Sequence, residues 1–214
     1  LLAAALLAVS FWHVLFSRLG FRVISQPLLQ ALAVAALFRA LRGGRWPWLW
    51  AAGVLIGLTA YTYLAARLFP VLLAFAVLPL LLDRETRAVR ARQLLFVALV
   101  AFLTALPLLA YFAAHPDAFW VRIGQVAPGS PAAGEGLTLT ESLLRAFGMF
   151  FLSGDPYLRF NLPGRPLFDF VTGGLLLAGW VICLVRYRRF PYDWQRAAVL
   201  LLLLAPLVMI LPTA

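Results

Sequence analysis

Long apolar stretches separated by short polar segments dominate the chain. Seven stretches can be delimited, at residues 1–16, 21–38, 48–62, 68–82, 94–112, 168–185 and 197–214. Several approach the roughly 20 apolar residues that a helix needs to cross a bilayer. A backbone that faces lipid must satisfy its own hydrogen bonds, which favours helices over open strands. The pattern therefore predicts an all-α, polytopic bundle of about seven transmembrane helices.

The third and fourth stretches belong to one apolar run that is too long for a single span. The segment YTYLAARLFP (61–70) divides this run, because Arg67 and Pro70 interrupt the apolar pattern. Its two tyrosines suit the level of the membrane interface. We therefore predict a turn here.

Composition narrows the class of protein further. Of 214 residues, 64% are hydrophobic and 12% are charged, which excludes a soluble globular domain and a disordered tail. Cys183 is the one cysteine, so a disulfide framework is excluded as well. We expect a single transmembrane domain. The chain begins Leu-Leu-Ala and stops within an apolar run at Ala214, which favours a fragment of a longer protein.

The arginines predict an orientation. All 18 basic residues are Arg, and the formal charge is +10. When the loops between the seven stretches are numbered in order, loops two, four and six hold eleven of the arginines. These eleven are Arg39, Arg42, Arg45, Arg84, Arg87, Arg90, Arg92, Arg186, Arg188, Arg189 and Arg196. Positive loops favour the cytoplasmic side. We therefore predict that segments 17–22, 61–70 and 113–167 are extracytoplasmic. Because the arginines flank apolar runs, no nucleic-acid partner is expected.

Loop five (113–167) is the one segment with room for chemistry in water. Its first part, 115–136, is rich in Gly, Pro and Ala and is predicted to be irregular. Thr138 and Glu141 have the spacing of a capping box. They predict a helix over 139–152 whose apolar side can lie in the membrane interface.

The sequence lacks the motifs of several common kinds of metal-binding, nucleotide-binding and catalytic site. The two histidines are far apart and have no further ligand at metal-binding spacing, so no metal site is predicted. There is no P-loop, no GxGxxG and no GxSxG nucleophile elbow. Gly53 and Gly57 form a GxxxG, which predicts close helix packing. The sequence predicts no particular cofactor, and whether a divalent metal is used stays open.

The outward-facing arginines are candidates for binding phosphate. They are Arg18, Arg22, Arg67, Arg122, Arg159 and Arg165. A guanidinium can bind phosphate through two parallel hydrogen bonds, and a lipid-linked donor places its phosphate at this depth. The alternative is that these residues contact anionic headgroups or cap helix ends.

The outward carboxylates Asp117 and Asp155 are candidates for a catalytic base. An Asp beside Pro in a loop is more often a turn or cap residue. No catalytic residue is therefore assigned.

A series of segments resembles a known family. In order they are SRLGFR (17–22), FRALRGGR (38–45), GVLIGLTAYTYLAARLFP (53–70), HPDAFWVRIGQV (115–126) and GDPYLRFNLPGRPLFD (154–169). Together they resemble bacterial membrane glycosyltransferases of the C-type fold, related to protein mannosyltransferases and the aminoarabinose transferase of lipid A. The likeness extends over nearly the whole chain.

The resemblance implies a C-type glycosyltransferase-like bundle with a polyprenyl-phosphate-sugar donor. It would pass a hexose or pentose to a protein, lipid or glycan acceptor on the outer face of a bacterial plasma membrane. A key acidic residue of that family lies in a first outer loop, which would precede Leu1. The positions carried over are Arg18, Arg22, Tyr61, Tyr63, Arg67 and Arg122, as donor-site or structural residues.

Two other classes of function stay open. One is a transporter or flippase of lipid-linked saccharides, and the other is a non-catalytic subunit of a membrane complex. Transporters place ionisable residues at mid-membrane, whereas the interiors of these spans are nearly free of charge. This favours the glycosyltransferase, although the chain by itself is expected to be inactive.

Overall fold

The computed structural model describes residues 2–20, 22–126, 138–154 and 161–210. Within these ranges the chain forms ten α-helices and no strand, which confirms the all-helical prediction. The helices are α1 (Leu2–Ala8), α2 (Phe11–Leu19), α3 (Ser25–Gly43), α4 (Trp46–Thr59), α5 (Phe69–Val77), α6 (Arg87–Ala114), α7 (Pro116–Val126), α8 (Leu139–Phe151), α9 (Phe170–Arg186) and α10 (Asp193–Ile210).

Four helical segments are long and apolar enough to cross a membrane. They are Leu64–Leu81, which contains α5, then Arg87–Ala114, Phe170–Arg189 and Asp193–Ile210. In the described part of the chain the number rises to five if α1 and α2, which meet at 53°, form one bent span. The protein is thus an α-helical membrane bundle.

The described helices do not reproduce the predicted count of seven spans. The stretch 21–38 corresponds to α3, in which Gln26 and Gln30 interrupt the apolar run. The stretch 48–62 corresponds to α4, whose 14 residues extend about 21 Å, less than the hydrocarbon thickness. Neither helix meets the length and hydropathy of a span, although both contribute to the buried core.

Helices α3 and α4 form a hairpin that closes at Gly44, whose φ of 63° is left-handed. Helix α4 then runs parallel to α6. At one end Trp46 lies edge-on to Phe96, with ring centroids 5.0 Å apart. Towards the other end the Tyr61 hydroxyl donates to the carbonyl oxygen of Thr104 at 3.0 Å.

The GxxxG of α4 provides the close contact with α6, as the sequence predicted. A Cβ placed on Gly53 would lie 2.6 Å from Cβ of Val100, and one on Gly57 would lie 2.6 Å from Cβ of Thr104. Because Gly53 and Gly57 have no side chain, α4 and α6 can approach this closely.

The span Leu64–Leu81 lies in the core of the bundle. Phe69, Leu72, Ala76 and Leu80 are buried in one cluster with residues of α3, α4, α6 and α10. Helix α9 lies at the periphery and is held to α10 by a hydrogen bond of 3.2 Å from Trp180 Nε1 to the carbonyl oxygen of Leu202.

Loops two, four and six meet at one end of the bundle, which we call the arginine-rich end. Arg90 of α6 forms an ion pair with Asp193 of α10, with Nε 2.8 Å from Oδ2, and donates to the carbonyl oxygen of Leu41 in α3 at 2.7 Å. The guanidinium of Arg42 lies 4.9 Å from the ring centroid of Trp194. The predicted grouping of the even-numbered loops is therefore present in the structure.

Adding a methyl group at the α4–α6 contact should destabilise the bundle. We expect Gly57→Ala to lower stability by about 1–3 kcal/mol, because the new Cβ overlaps Thr104. Reversible unfolding in mild detergent measures the change. Gly179→Ala is the matched control, since a Cβ there meets no heavy atom within 4 Å. Equal effects of the two substitutions would contradict the packing argument.

Breaking the ion pair between Arg90 and Asp193 should cost more than removing an exposed charge. Their side chains are only 14% and 18% exposed, so removing either one leaves the other partly buried and without its ion-pair partner. We expect Arg90→Ala to cost on the order of 3 kcal/mol, and Arg92→Ala, whose side chain is exposed, to be nearly neutral. Thermal unfolding of the two variants in the same detergent tests this, and similar melting temperatures would refute it.

Candidate functional site

The end of the bundle opposite the arginine-rich end contains the interrupted backbone around residues 60–70. We call it the loop-five end, because α7, α8 and the segment 161–169 lie there. Helix α4 stops at Thr59, a turn follows, and Tyr63 is extended with φ −151°. A short 3-10 helix, Leu64–Leu68, then leads into α5, where Pro70 occupies the first turn. The predicted turn in the segment 61–70 is confirmed.

This break places Arg67 against aromatic rings rather than against a carboxylate. Its guanidinium carbon lies 4.7 Å from the ring centroid of Phe112 and 5.1 Å from that of Phe119. Its Nε is buried and has no hydrogen-bond partner. Across the described residues, the single ion pair joins Arg90 and Asp193. Arg67 is therefore a partly buried cation with no carboxylate partner among the described residues.

Other buried polar atoms at this end also lack partners. They are Nε1 of Trp12, Oε1 of Gln26 and Nε2 of Gln30. Gln26 is only 7% exposed and lies one helical turn from Gln30 on α3. Because the hairpin is antiparallel, this first part of α3 lies at the level of the end of α4. An unsatisfied buried amide is costly, which points to a ligand or water at this level.

The two candidate tyrosines have different roles. Tyr61 uses its hydroxyl to fasten the end of α4 to α6 at Thr104 O, so the structure gives it a structural contact. Tyr63 is exposed at the start of the 3-10 helix and is available to a ligand at the interface.

The remaining predicted residues are spread over this end of the bundle. Arg18 is exposed in the last turn of α2, and Asp117 is exposed in the first turn of α7. Arg22 begins a 3-10 helix and Arg122 belongs to α7, but both side chains lie outside the described part of the structure. Asp155 and Arg159 also lie outside the described residues.

Arg165 lies apart from the rings that hold Arg67. Its guanidinium carbon is 4.7 Å from the ring centroid of Phe11 in α2. Its backbone is fixed by a hydrogen bond of 2.6 Å from Nδ2 of Asn161 to the Arg165 carbonyl oxygen. The structure thus places Arg67 and Arg165 on different aromatic rings.

The first part of loop five corrects the sequence prediction. Residues 115–136 were predicted to be irregular, but Pro116–Val126 form helix α7. Pro116 at the start and Asp117 in the first turn are both helix-start signals. They outweigh the local Gly content, and the helix supplies Phe119 to the ring pair around Arg67.

The second half of loop five agrees with the prediction. Helix α8 covers Leu139–Phe151, and Thr138 and Glu141 form the complete capping box. Hydrogen bonds from the Thr138 backbone N–H and then from its hydroxyl lower the pKa of the Glu141 carboxyl. Leu144, Phe147 and Leu152 are exposed apolar side chains that suit an interfacial position.

Several residues of this site were not singled out from the sequence. Gln26 and Gln30 have a detectable signal, since two amides at i and i+4 within an apolar helix share one face. Phe112 and Phe119 have none, because only the turn between α6 and α7 brings them around Arg67. The described residues contain no group of three metal-binding side chains.

Comparisons with known proteins add no relative. No family model matches the chain, and neither the curated proteins nor the solved structures include a match. The fold and site define an α-helical membrane protein with buried, unpaired polar atoms at the loop-five end.

Lowering the pH should weaken the start of α8. Because the folded-state pKa of Glu141 is lowered, its capping stabilises the helix above the unfolded-state pKa and is lost as pH falls through the folded-state value. We expect amide protection in α8 to drop below about pH 4. Hydrogen exchange corrected for intrinsic rates measures this. Glu141→Gln, which retains a neutral capping box, should remove the pH dependence.

Proposed function

We propose that this protein is an integral-membrane glycosyltransferase that uses a polyprenyl-phosphate-linked sugar. The acceptor is a hydroxyl or amine of a protein, lipid or glycan. The acceptor atom would form a bond to the anomeric carbon of the sugar while the bond from that carbon to the phosphate oxygen breaks. Polyprenyl phosphate would leave, and a base would take the proton from the acceptor.

The observation that carries the proposal is the environment of Arg67. Its guanidinium is half-buried at the end of a spanning segment, rests on Phe112 and Phe119, and has no carboxylate partner among the described residues. A lipid-linked phosphate lies at this depth in a bilayer. A guanidinium already oriented by two rings would stabilise the negative charge that grows on the leaving phosphate.

The unpaired amides support a polar ligand beside that phosphate. Gln26 and Gln30 offer an acceptor oxygen and a donor nitrogen that the protein leaves unsatisfied. Sugar hydroxyls both donate and accept hydrogen bonds, so they complement such a pair. The buried amides therefore fit a sugar better than they fit a purely apolar substrate.

The distribution of charge favours chemistry at one face over passage through the membrane. Every described Asp, Glu and Arg lies at or beyond the end of an apolar stretch, whereas transporters place ionisable groups near mid-membrane. One feature favours a transporter of lipid-linked saccharides instead. The 53° bend between α1 and α2 resembles the interrupted helices of transport proteins.

Replacing Arg67 should reduce sugar transfer. We expect Arg67→Ala in the full-length protein to lower kcat/KM for a polyprenyl-phosphate sugar by about 10–100-fold, the effect of losing one charge-assisted contact. Arg67→Lys should recover part of the loss, because it keeps the charge but not the planar fork. Transfer of a radiolabelled sugar in detergent measures the effect.

Arg84→Ala is the matched control, since Arg84 is exposed and lies at the opposite end of the bundle. It should leave transfer unchanged, and the melting temperatures of all variants should be compared. Full activity of a folded Arg67→Ala variant would overturn the proposed role. Movement of the donor across vesicle membranes without any sugar transfer would favour the transporter.

A further inference from the structure

A cleft of about 460 Å³ opens between the end of α8 and the start of α9. We call it the α9 cleft. Its lining is mostly apolar and includes Phe151, Phe168, Phe170 and Leu177. The Phe151 and Phe168 rings lie 6.2 Å apart between centroids and form one wall. Phe170 is 97% exposed, so the cleft is open on one side.

The open side of the cleft continues onto the lipid-facing surface of a spanning helix. Leu177 lines the cleft, and Val181 and Leu184 extend the same exposed apolar surface along α9. Phe170–Arg189 is long and apolar enough to cross the membrane. A lipid chain lying along α9 would therefore reach the cleft without crossing water.

One positive and one negative residue line the cleft without pairing. Both Arg165 and Asp169 contribute to its lining, yet within the described residues the only ion pair within 4.0 Å joins Arg90 and Asp193. The Arg165 guanidinium instead rests on the Phe11 ring. The two oppositely charged residues that line the α9 cleft are therefore not paired with each other.

The carboxylate of Asp169 caps the start of α9 and is exposed at the cleft. Its Oδ1 accepts from the Thr172 backbone N–H at 2.8 Å, and its Oδ2 accepts from the Thr172 hydroxyl at 2.9 Å. A carboxylate offers about four lone-pair sites, and the backbone N–H groups of Val171 and of Asp169 itself also face this one. The same hydrogen bonds, the backbone one first, lower the pKa of this carboxyl and keep it ionised at neutral pH.

We propose that the α9 cleft is a binding site for a zwitterionic phospholipid with a primary ammonium headgroup. The phosphate would meet Arg165, the ammonium would donate to Asp169, and one acyl chain would enter between Phe168 and Leu177. The bilayer itself supplies this ligand, and the inference does not rest on the proposed glycosyl transfer.

The two charges select among bilayer lipids. A purely anionic headgroup would satisfy Arg165 but would be repelled by Asp169. A quaternary ammonium lacks N–H donors and cannot hydrogen-bond the carboxylate. A primary ammonium phospholipid such as phosphatidylethanolamine satisfies both side chains.

Lipid retention measures this preference. The full-length protein would be reconstituted with equal amounts of phosphatidylethanolamine, phosphatidylcholine and phosphatidylglycerol, extracted in mild detergent, and its retained lipids quantified by mass spectrometry. We expect phosphatidylethanolamine to be enriched severalfold over both other lipids. Equal retention of the three lipids, or enrichment of phosphatidylglycerol, would overturn the proposal.

Substitutions of Asp169 and Arg165 should distinguish the ammonium contact from the phosphate contact. Asp169→Asn keeps an N-cap for α9 but should remove the preference for phosphatidylethanolamine over phosphatidylcholine. Arg165→Gln should reduce retention of phosphatidylethanolamine itself. If Asp169→Asn leaves the preference intact, the ammonium contact is wrong.

Two glycines of α9 allow a matched test of whether the lipid occupies the α9 cleft. A Cβ at Gly174 or at Gly179 meets no heavy atom within 4 Å, so both positions tolerate a side chain, but only Gly174 lines the cleft. We expect Gly174→Leu to fill the cleft and abolish the enrichment, and Gly179→Leu to preserve it. Unchanged enrichment in Gly174→Leu would place the retained lipid elsewhere and overturn the assignment.

Discussion

The ion pair between Arg90 and Asp193 fixes one end of this bundle. Arg90 contacts both carboxylate oxygens of Asp193, at 2.8 and 3.2 Å, and donates to the carbonyl oxygen of Leu41. A cation in these surroundings must be paired, because an unpaired buried charge costs several kcal/mol. The requirement ties α3, α6 and α10 together at the same level.

The two ends of the bundle differ in how completely their polar groups are satisfied. At the arginine-rich end the partly buried cation Arg90 has a carboxylate, a carbonyl and an amide as partners. At the loop-five end Arg67, Gln26 and Gln30 each keep a buried atom without a partner. Proteins tolerate such costs where a ligand is bound. This asymmetry, more than any single residue, locates the candidate site.

The short helix α4 determines where the backbone breaks next to Arg67. It ends at Thr59, about 21 Å from its start, and the two glycines that press it onto α6 hold it in place. The chain then turns and enters the 3-10 helix that contains Arg67. The same close packing brings Tyr61 to α6 and leaves Tyr63 exposed. Helix packing and the position of the cation are therefore consequences of one local arrangement.

The sequence by itself determined the features that depend on neighbours along the chain. The all-helical class, the turn at 61–70, the glycine contact of α4 and the capping box of α8 all follow from local spacing and polarity. Only the tertiary structure decided that Arg67 meets Phe112 and Phe119, that Arg90 meets Asp193, and that Arg165 and Asp169 share a cleft without pairing. Arg90 and Asp193 are 103 positions apart, and no local pattern encodes which of eighteen arginines a given carboxylate will meet. Local periodicity fixes which face of a helix is apolar, whereas pairing depends on how the helices pack.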